Sequence, residues 1–257
     1  MTNEDQLDDL KKDNDAGISL IETITSSDLS DLLQDYGEIA LDSVVSDGIL
    51  KEIPVINSIV GVAKIAISIR DKLLVKKLAH FLHELSDTTE KERMNFLQEF
   101  EEDPKEQRKI GENLLLLLDR LDNMDKPAMV AKLLKAYIKG EIDSFDDFTF
   151  YSSIIDKSPI SELSSLFTYF SMLDADEDSL GKRFHHLGLS FMTVTINPKF
   201  LPEPEDVIDR MHYKQEQRIT PTNKATVKYK LSERAYKLAK IILGDQCGNK
   251  ELFFDYL

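Results

Sequence analysis

The sequence predicts a mainly α protein, a multi-helix bundle followed by a small C-terminal α+β unit with a winged-helix-like order of elements. Three observations carry that prediction. Residues 53 to 69, IPVINSIVGVAKIAISI, hold a single charge, Lys64, and lead into the basic amphipathic segment RDKLLVKKLAHFLHEL. Between Asp87 and Pro159, helix-start signals recur ahead of each apolar-periodic stretch. Beyond Asp174, two short β-branched alternating segments, SFMTVTI and ATVKYKL, are separated by a Pro-rich charged connection and flanked by helical patterns.

Taken in order, residues 1 to about 16 are acidic, polar and without a period, which reads as a mobile tail. Ile21, Ile24, Leu29, Leu32, Leu33, Tyr36, Ile39, Ala40 and Val44 predict one or two short helices. Pro54 then suits the first turn of the apolar helix at 53–69. There the small or polar residues Asn57, Gly61, Lys64 and Ser68 follow one helical stripe, so the rest of the circumference must be buried. Gly61 on that stripe suits the close approach of another backbone.

In the middle of the chain, Asp87 with Glu90 has the chemistry of an acidic capping box for the helix of Met94, Leu97 and Phe100. Asp103 and Pro104 open a helix through Leu121, and Asp125 with Pro127 starts one that Gly140 ends. Ser144 caps a helix through Ile155, and Ser158 with Pro159 caps another through about Met172. Five successive leucines, Leu114 to Leu118, place their helix at the centre of the bundle. Ser179 to Leu187 reads as a helix before the first strand, and Ser232 caps a last helix that stops at Gly244. The resulting division is an acidic arm with short helices at 1–46, a helical bundle at 47–173 and the winged-helix-like unit at 179–257.

At 257 residues, 42% hydrophobic and 31% charged, the composition is that of a globular protein. The net charge of -15 argues against indiscriminate nucleic-acid binding, yet the charge is unevenly placed. Residues 1–50 hold thirteen acids against two lysines, 51–84 are basic by three, 85–180 acidic by eleven, and 181–257 basic by four. Two basic zones separated by an acidic one suggest distinct surfaces with different partners. Cys247 is alone, the first residues lack a signal peptide's basic start and apolar core, and the 53–69 stretch is short of a spanning helix. The expected location is the cytoplasm.

No phosphate loop, dinucleotide fingerprint, HExxH, GxSxG or CxxC is present. Asp174, Asp176 and Asp178 imitate the start of a calcium loop, but Ser179 stands where the turn glycine belongs and His185 where the bidentate glutamate belongs. His80 and His83 have metal-ligand spacing with Glu84 beside them, without a second cluster to complete a site. No catalytic residue, cofactor or metal is therefore expected. The candidate partner-binding residues are Lys72, Lys76 and His80 on the basic helix, and Lys182, Arg183, Lys228 and Lys230 in the C-terminal unit, with Arg218 and Lys224 near the wing. A basic amphipathic helix suits anionic lipid, an acidic protein or nucleic acid, and also an ordinary bundle helix with solvated lysines.

Three segments, IPVINSIVGVAKIAISIRDKLLVKKLAHFL, GENLLLLLDRLDNMDKPAMVAKLLKAYIKGEI and YKLSERAYKLAKIIL, resemble uncharacterised bacterial helical proteins carried as mobile-element or phage-defence cargo. The resemblance implies a bacterial stress or antiphage role and supplies no active-site residues. The expectation is a non-catalytic protein acting through protein contacts or self-association. The alternatives are a DNA-binding regulator using the C-terminal unit, and a membrane-active effector that releases the 53–69 helix. The acidic arm is further expected to lie over the Lys72, Lys76 and His80 stripe.

Overall fold

A computed structural model describes residues 15–34, 53–61, 68–98, 100, 103–171, 179–198 and 223–244. Among them are eleven helices and two strands. In chain order these are α1 (Ala16–Thr25), α2 (Leu29–Gln34), α3 (Pro54–Gly61), α4 (Ile69–Leu85), α5 (Glu90–Gln98) and α6 (Pro104–Arg120). There follow α7 (Lys126–Ile138), α8 (Phe145–Lys157), α9 (Ile160–Ser171), α10 (Ser179–His186), β1 (Ser190–Pro198), β2 (Asn223–Leu231) and α11 (Glu233–Leu243). The architecture is a helical bundle with a small C-terminal β-hairpin and flanking helices, the winged-helix-like order expected from the sequence. The chain divides into two compact units, 1–163 and 164–257, with the division falling inside α9.

In the first unit, α1 belongs to the bundle, whereas the sequence assigns it to an acidic arm. Leu20, Ile21 and Ile24 are buried, and α1 packs most extensively on α6 and next on α3. Asp15 caps it, accepting from the Gly17 and Ile18 amides, and its other carboxylate oxygen holds Arg108 Nε of α6 at 2.5 Å. The acidic look of residues 1–50 conceals this stripe, because the acids and the apolar positions share the same segment. Residues 1–14 and 35–52 lie outside the described residues.

The apolar run at 53–69 does not lead unbroken into the basic helix. Ser68 is extended (φ -67°, ψ 159°) and starts α4 afresh through a capping box with Asp71. Only Pro54–Gly61 is described as helix in the earlier part, and residues 62–67 lie outside the description. Ile53, Val55 and Ile56 are buried. Thr23 Oγ1 accepts the Val55 amide at 3.3 Å, and Ser19 and Ser58 hydroxyls meet at 2.7 Å, so α1 satisfies polar groups of α3 that burial would orphan.

Side-chain caps start some of the remaining helices; Asp125, ahead of α7, makes no side-chain cap hydrogen bond. Asp103 accepts the Lys105 amide, and Ser144 the Asp147 amide, as the sequence predicts. The box ahead of α5 sits two residues later than predicted: Glu92 accepts from the Thr89 amide and Thr89 Oγ1 from the Glu92 amide. Asp87 instead reaches Lys135 on α7. Ser158 does not cap α9; its Oγ is buried without a hydrogen-bond partner, and the Glu162 and Leu163 amides donate to Pro159. Leu114, Leu117 and Leu118 are buried, but Leu116 is 60% exposed, so the leucine run does wet one face. Phe96, Phe100, Tyr137, Phe145 and Phe148 form an edge-to-face and stacked aromatic cluster joining α5, α7 and α8, with centroids 5.1–6.4 Å apart.

In the second unit, β1 and β2 pair antiparallel in a register that runs from Ser190 opposite Leu231 to Pro198 opposite Asn223. Gly188 (φ 74°) allows α10 to reverse directly into β1, and the Leu189 amide bonds back to the Phe184 carbonyl at 2.8 Å. Ser232 caps α11 through the Ala235 amide while its own amide and hydroxyl both donate to the Leu189 carbonyl. This knot fixes both helices to the base of the hairpin. Phe184, Leu189, Ala235, Leu238, Ala239 and Ile242 are buried around it.

Candidate functional site

The sequence nominates two cationic surfaces, one in each unit. On α4, Lys72 and His83 are exposed and Lys76 and His80 half-buried, so the stripe exists on the side the periodicity implies. Lys77, however, is buried (8% exposed) and donates Nζ–H to the Asp119 carbonyl at 2.7 Å, near the electronegative C-terminal end of α6. Its position three after Leu74 and four before Phe81 already puts it on the apolar face of the helix. Burial pulls the Lys77 ammonium below the usual lysine range, opposed by Asp119 and Asp122.

Acids face three of the α4 cations, Arg70, Lys77 and His80. Arg70 forks onto Asp119, and that hydrogen bond holds the Asp119 carboxyl below the usual carboxylate range. Burial lowers His80, against the opposing field of Asp125. At the other end, Lys135 of α7 bridges Glu84 at 3.0 Å and Asp87 at 2.8 Å; burial pulls its ammonium down, but these two hydrogen bonds more than offset that and raise it. No helix among the described residues is long and apolar enough to cross a membrane.

In the C-terminal unit the candidate cations remain on the surface. Lys182 and Arg183 are exposed on α10, and Lys228 and Lys230 are exposed on β2. The register sorts the hairpin into two faces. Ser190, Met192 and Val194 share one with Leu231, Tyr229 and Val227; Phe191 and Thr193 share the other with Lys230 and Lys228. Ser190 Oγ donates to the Gly181 carbonyl at 2.8 Å and the His185 ring lies 6.0 Å from that of Tyr229, so α10 packs on the first face. Lys228 and Lys230 thus lie on the face turned away from α10, and the four cations flank the hairpin rather than meet on one side of it.

The adjacent histidines also separate: His185 Nδ1 is 2.8 Å from the Ser190 carbonyl, a structural link, while His186 is exposed. Arg218, the acidic run Asp174 to Asp178 and Cys247 lie outside the described residues, as does the side chain of Lys224. Among the described residues no group of three or more His, Cys, Asp or Glu could hold a metal ion, His80 and His83 included. Phe191 is 64% exposed on the lysine-bearing face and is absent from the sequence-predicted candidates; strand alternation carries the signal, since it pairs Phe191 with Lys230 once the register is fixed. No protein-family model, curated protein or solved structure matches the chain.

Proposed function

We propose that the C-terminal unit binds DNA and that the protein is a non-catalytic DNA-binding regulator. The observation that carries this reading is the exposed pair Lys182 and Arg183 on the helix that feeds a hairpin bearing exposed Lys228 and Lys230. A chain with a net charge of -15 can approach phosphates only through a locally basic surface, and residues 181–257 are basic by four. A helix followed by a wing offers two separated contacts, one for a groove and one for the adjacent backbone. Cations on opposite sides of the hairpin suit that division of labour better than a single flat patch.

The resemblance of the three quoted segments to phage-defence cargo supports a bacterial stress or antiphage setting, and with it a cytoplasmic location. A second reading, protein contact or self-association through the bundle, draws on Ile69, Leu73 and Leu116, which are 79%, 46% and 60% exposed. They flank the Arg70–Asp119 pair that ties α4 to α6.

Gel-shift titration of duplex DNA across ionic strength tests the main reading. Affinity should fall steeply with salt, and Lys228→Glu with Lys230→Glu should reduce the magnitude of the log–log slope by about two. A full-length protein that shifts neither duplex nor single-stranded DNA even at low ionic strength refutes DNA binding and leaves protein contact.

A further inference from the structure

The hairpin face turned away from α10 carries Phe191, Thr193, Lys228 and Lys230, all of them exposed. Phe191 lies directly across from Lys230 and Thr193 across from Lys228. Cross-strand neighbours stand about 5 Å apart at Cβ, and Lys228 and Lys230 are about 7 Å apart along their strand. An aromatic ring therefore stands in water with two cations beside it. Met192 and Val194 are exposed on the opposite face as well, but their cross-strand partners are Tyr229 and Val227, with no cation among them. Charge complementarity singles out the Phe191 face for a polyanion that also offers a flat apolar surface, which is a description of a nucleic acid with an accessible base.

We propose that Phe191 stacks on an unpaired base while Lys228 and Lys230 neutralise the flanking phosphates, so that the C-terminal unit prefers DNA carrying a single-stranded segment to continuous duplex. The inference rests on the DNA-binding reading and adds a substrate class to it. In continuous duplex both faces of each base are occupied by neighbours, and a ring must unstack a step before it can enter. In a single strand the π-faces are open, and a sheet surface carrying an aromatic and cations binds them with little regard to sequence.

Fluorescence anisotropy with the full-length protein, a blunt duplex and the same duplex bearing a single-stranded tail tests this at one ionic strength. The tailed probe should bind roughly tenfold more tightly, within the range of one base–aromatic stack. Phe191→Ala should bring the ratio of the two affinities close to one, Phe191→Trp should retain it, and Lys228→Glu with Lys230→Glu should weaken both complexes. Equal affinities in the parent, or an undiminished ratio in Phe191→Ala, overturns the inference while duplex binding itself leaves the DNA reading standing. Failure to bind either probe removes both. If Phe191→Ala changes only the oligomeric state in light scattering, the face belongs to a protein contact and the inference is wrong.

Discussion

Gly17 and Gly111, ninety-four positions apart, bring the backbones of α1 and α6 into direct contact. A Cβ added to Gly111 would overlap the Gly17 carbonyl oxygen and lie 2.6 Å from its carbon, and one added to Gly17 would lie 2.9 Å from the Arg108 carbonyl. Backbone cannot swing aside as a side chain can. Elsewhere in a helix, Gly→Ala would gain about 1 kcal/mol of propensity. At this crossing overpacking, commonly about 1–3 kcal/mol and at times more, should outweigh that gain. Gly111→Ala should therefore lower the melting temperature, as should Gly17→Ala. A Gly111→Ala protein that melts at or above the parent would mean the helices separate at no cost.

Arg93 is the second tertiary tie. It is 1% exposed, donates to the Thr88 carbonyl, and reaches from α5 to the Ser26 carbonyl beyond α1 at 2.8 Å. Desolvation pulls the guanidinium below its usual range, with Glu90 and Glu92 opposing. Arg93→Met keeps the aliphatic stem but leaves those carbonyls without their charged donor, a loss of about 2–4 kcal/mol. Arg93→Lys should recover only part, because one ammonium lacks the planar fork that spans both acceptors. Denaturant titration of the two variants measures this; equal midpoints for parent and Arg93→Met would reduce Arg93 to an incidental burial.

His80 should make the stability acid-sensitive. Burial lowers its pKa from the ordinary 6.5, His83 and Lys76 push the same way, and Asp125 opposes. Below 6.5 the unfolded chain thus binds more protons than the folded one, and stability falls as pH drops from there through the folded-state value. His80→Gln should flatten the change in denaturation midpoint between about pH 7 and pH 5.5. If the variant loses as much stability as the parent over that interval, other groups own the slope.

What the sequence makes legible is local. Asp103, Ser144 and Ser232 act within three residues of themselves, and each is a cap in the structure. The box before α5 slips because Asp87 and Thr89 are both competent; reciprocity with Glu92 selects Thr89, and Lys135, forty-eight residues away, draws Asp87 elsewhere. Gly17 against Gly111 and Arg93 against Ser26 leave no local pattern, since a helix written alone gives no sign of which neighbour it meets. In the hairpin, alternation separates Phe191 and Thr193 from Met192 and Val194, but the side that α10 covers depends on the turn at Gly188. Hence the candidate cations were identifiable one by one and their arrangement was not.

Truncation from the N-terminus separates the acid of the first residues from the helix behind it. The sequence suggests an arm of 46 residues lying over Lys72, Lys76 and His80, but a deletion of that length would remove α1 with Leu20, Ile21 and Ile24, and Leu29 of α2. Those four side chains are completely or almost completely buried, and losing them should abolish cooperative unfolding of the bundle. Deletion of residues 1–14 removes five acids and two lysines while leaving Asp15 to cap α1 and hold Arg108. That shorter protein should melt like the parent. Its net charge is less negative by three, so at low salt it should bind DNA more tightly, with the difference vanishing as the Debye length shrinks to about 3 Å near 1 M salt. Circular dichroism melts and salt-dependent anisotropy measure the two effects separately. A cooperative transition surviving deletion of residues 1–46 would mean that α1 contributes nothing to the core it is packed in.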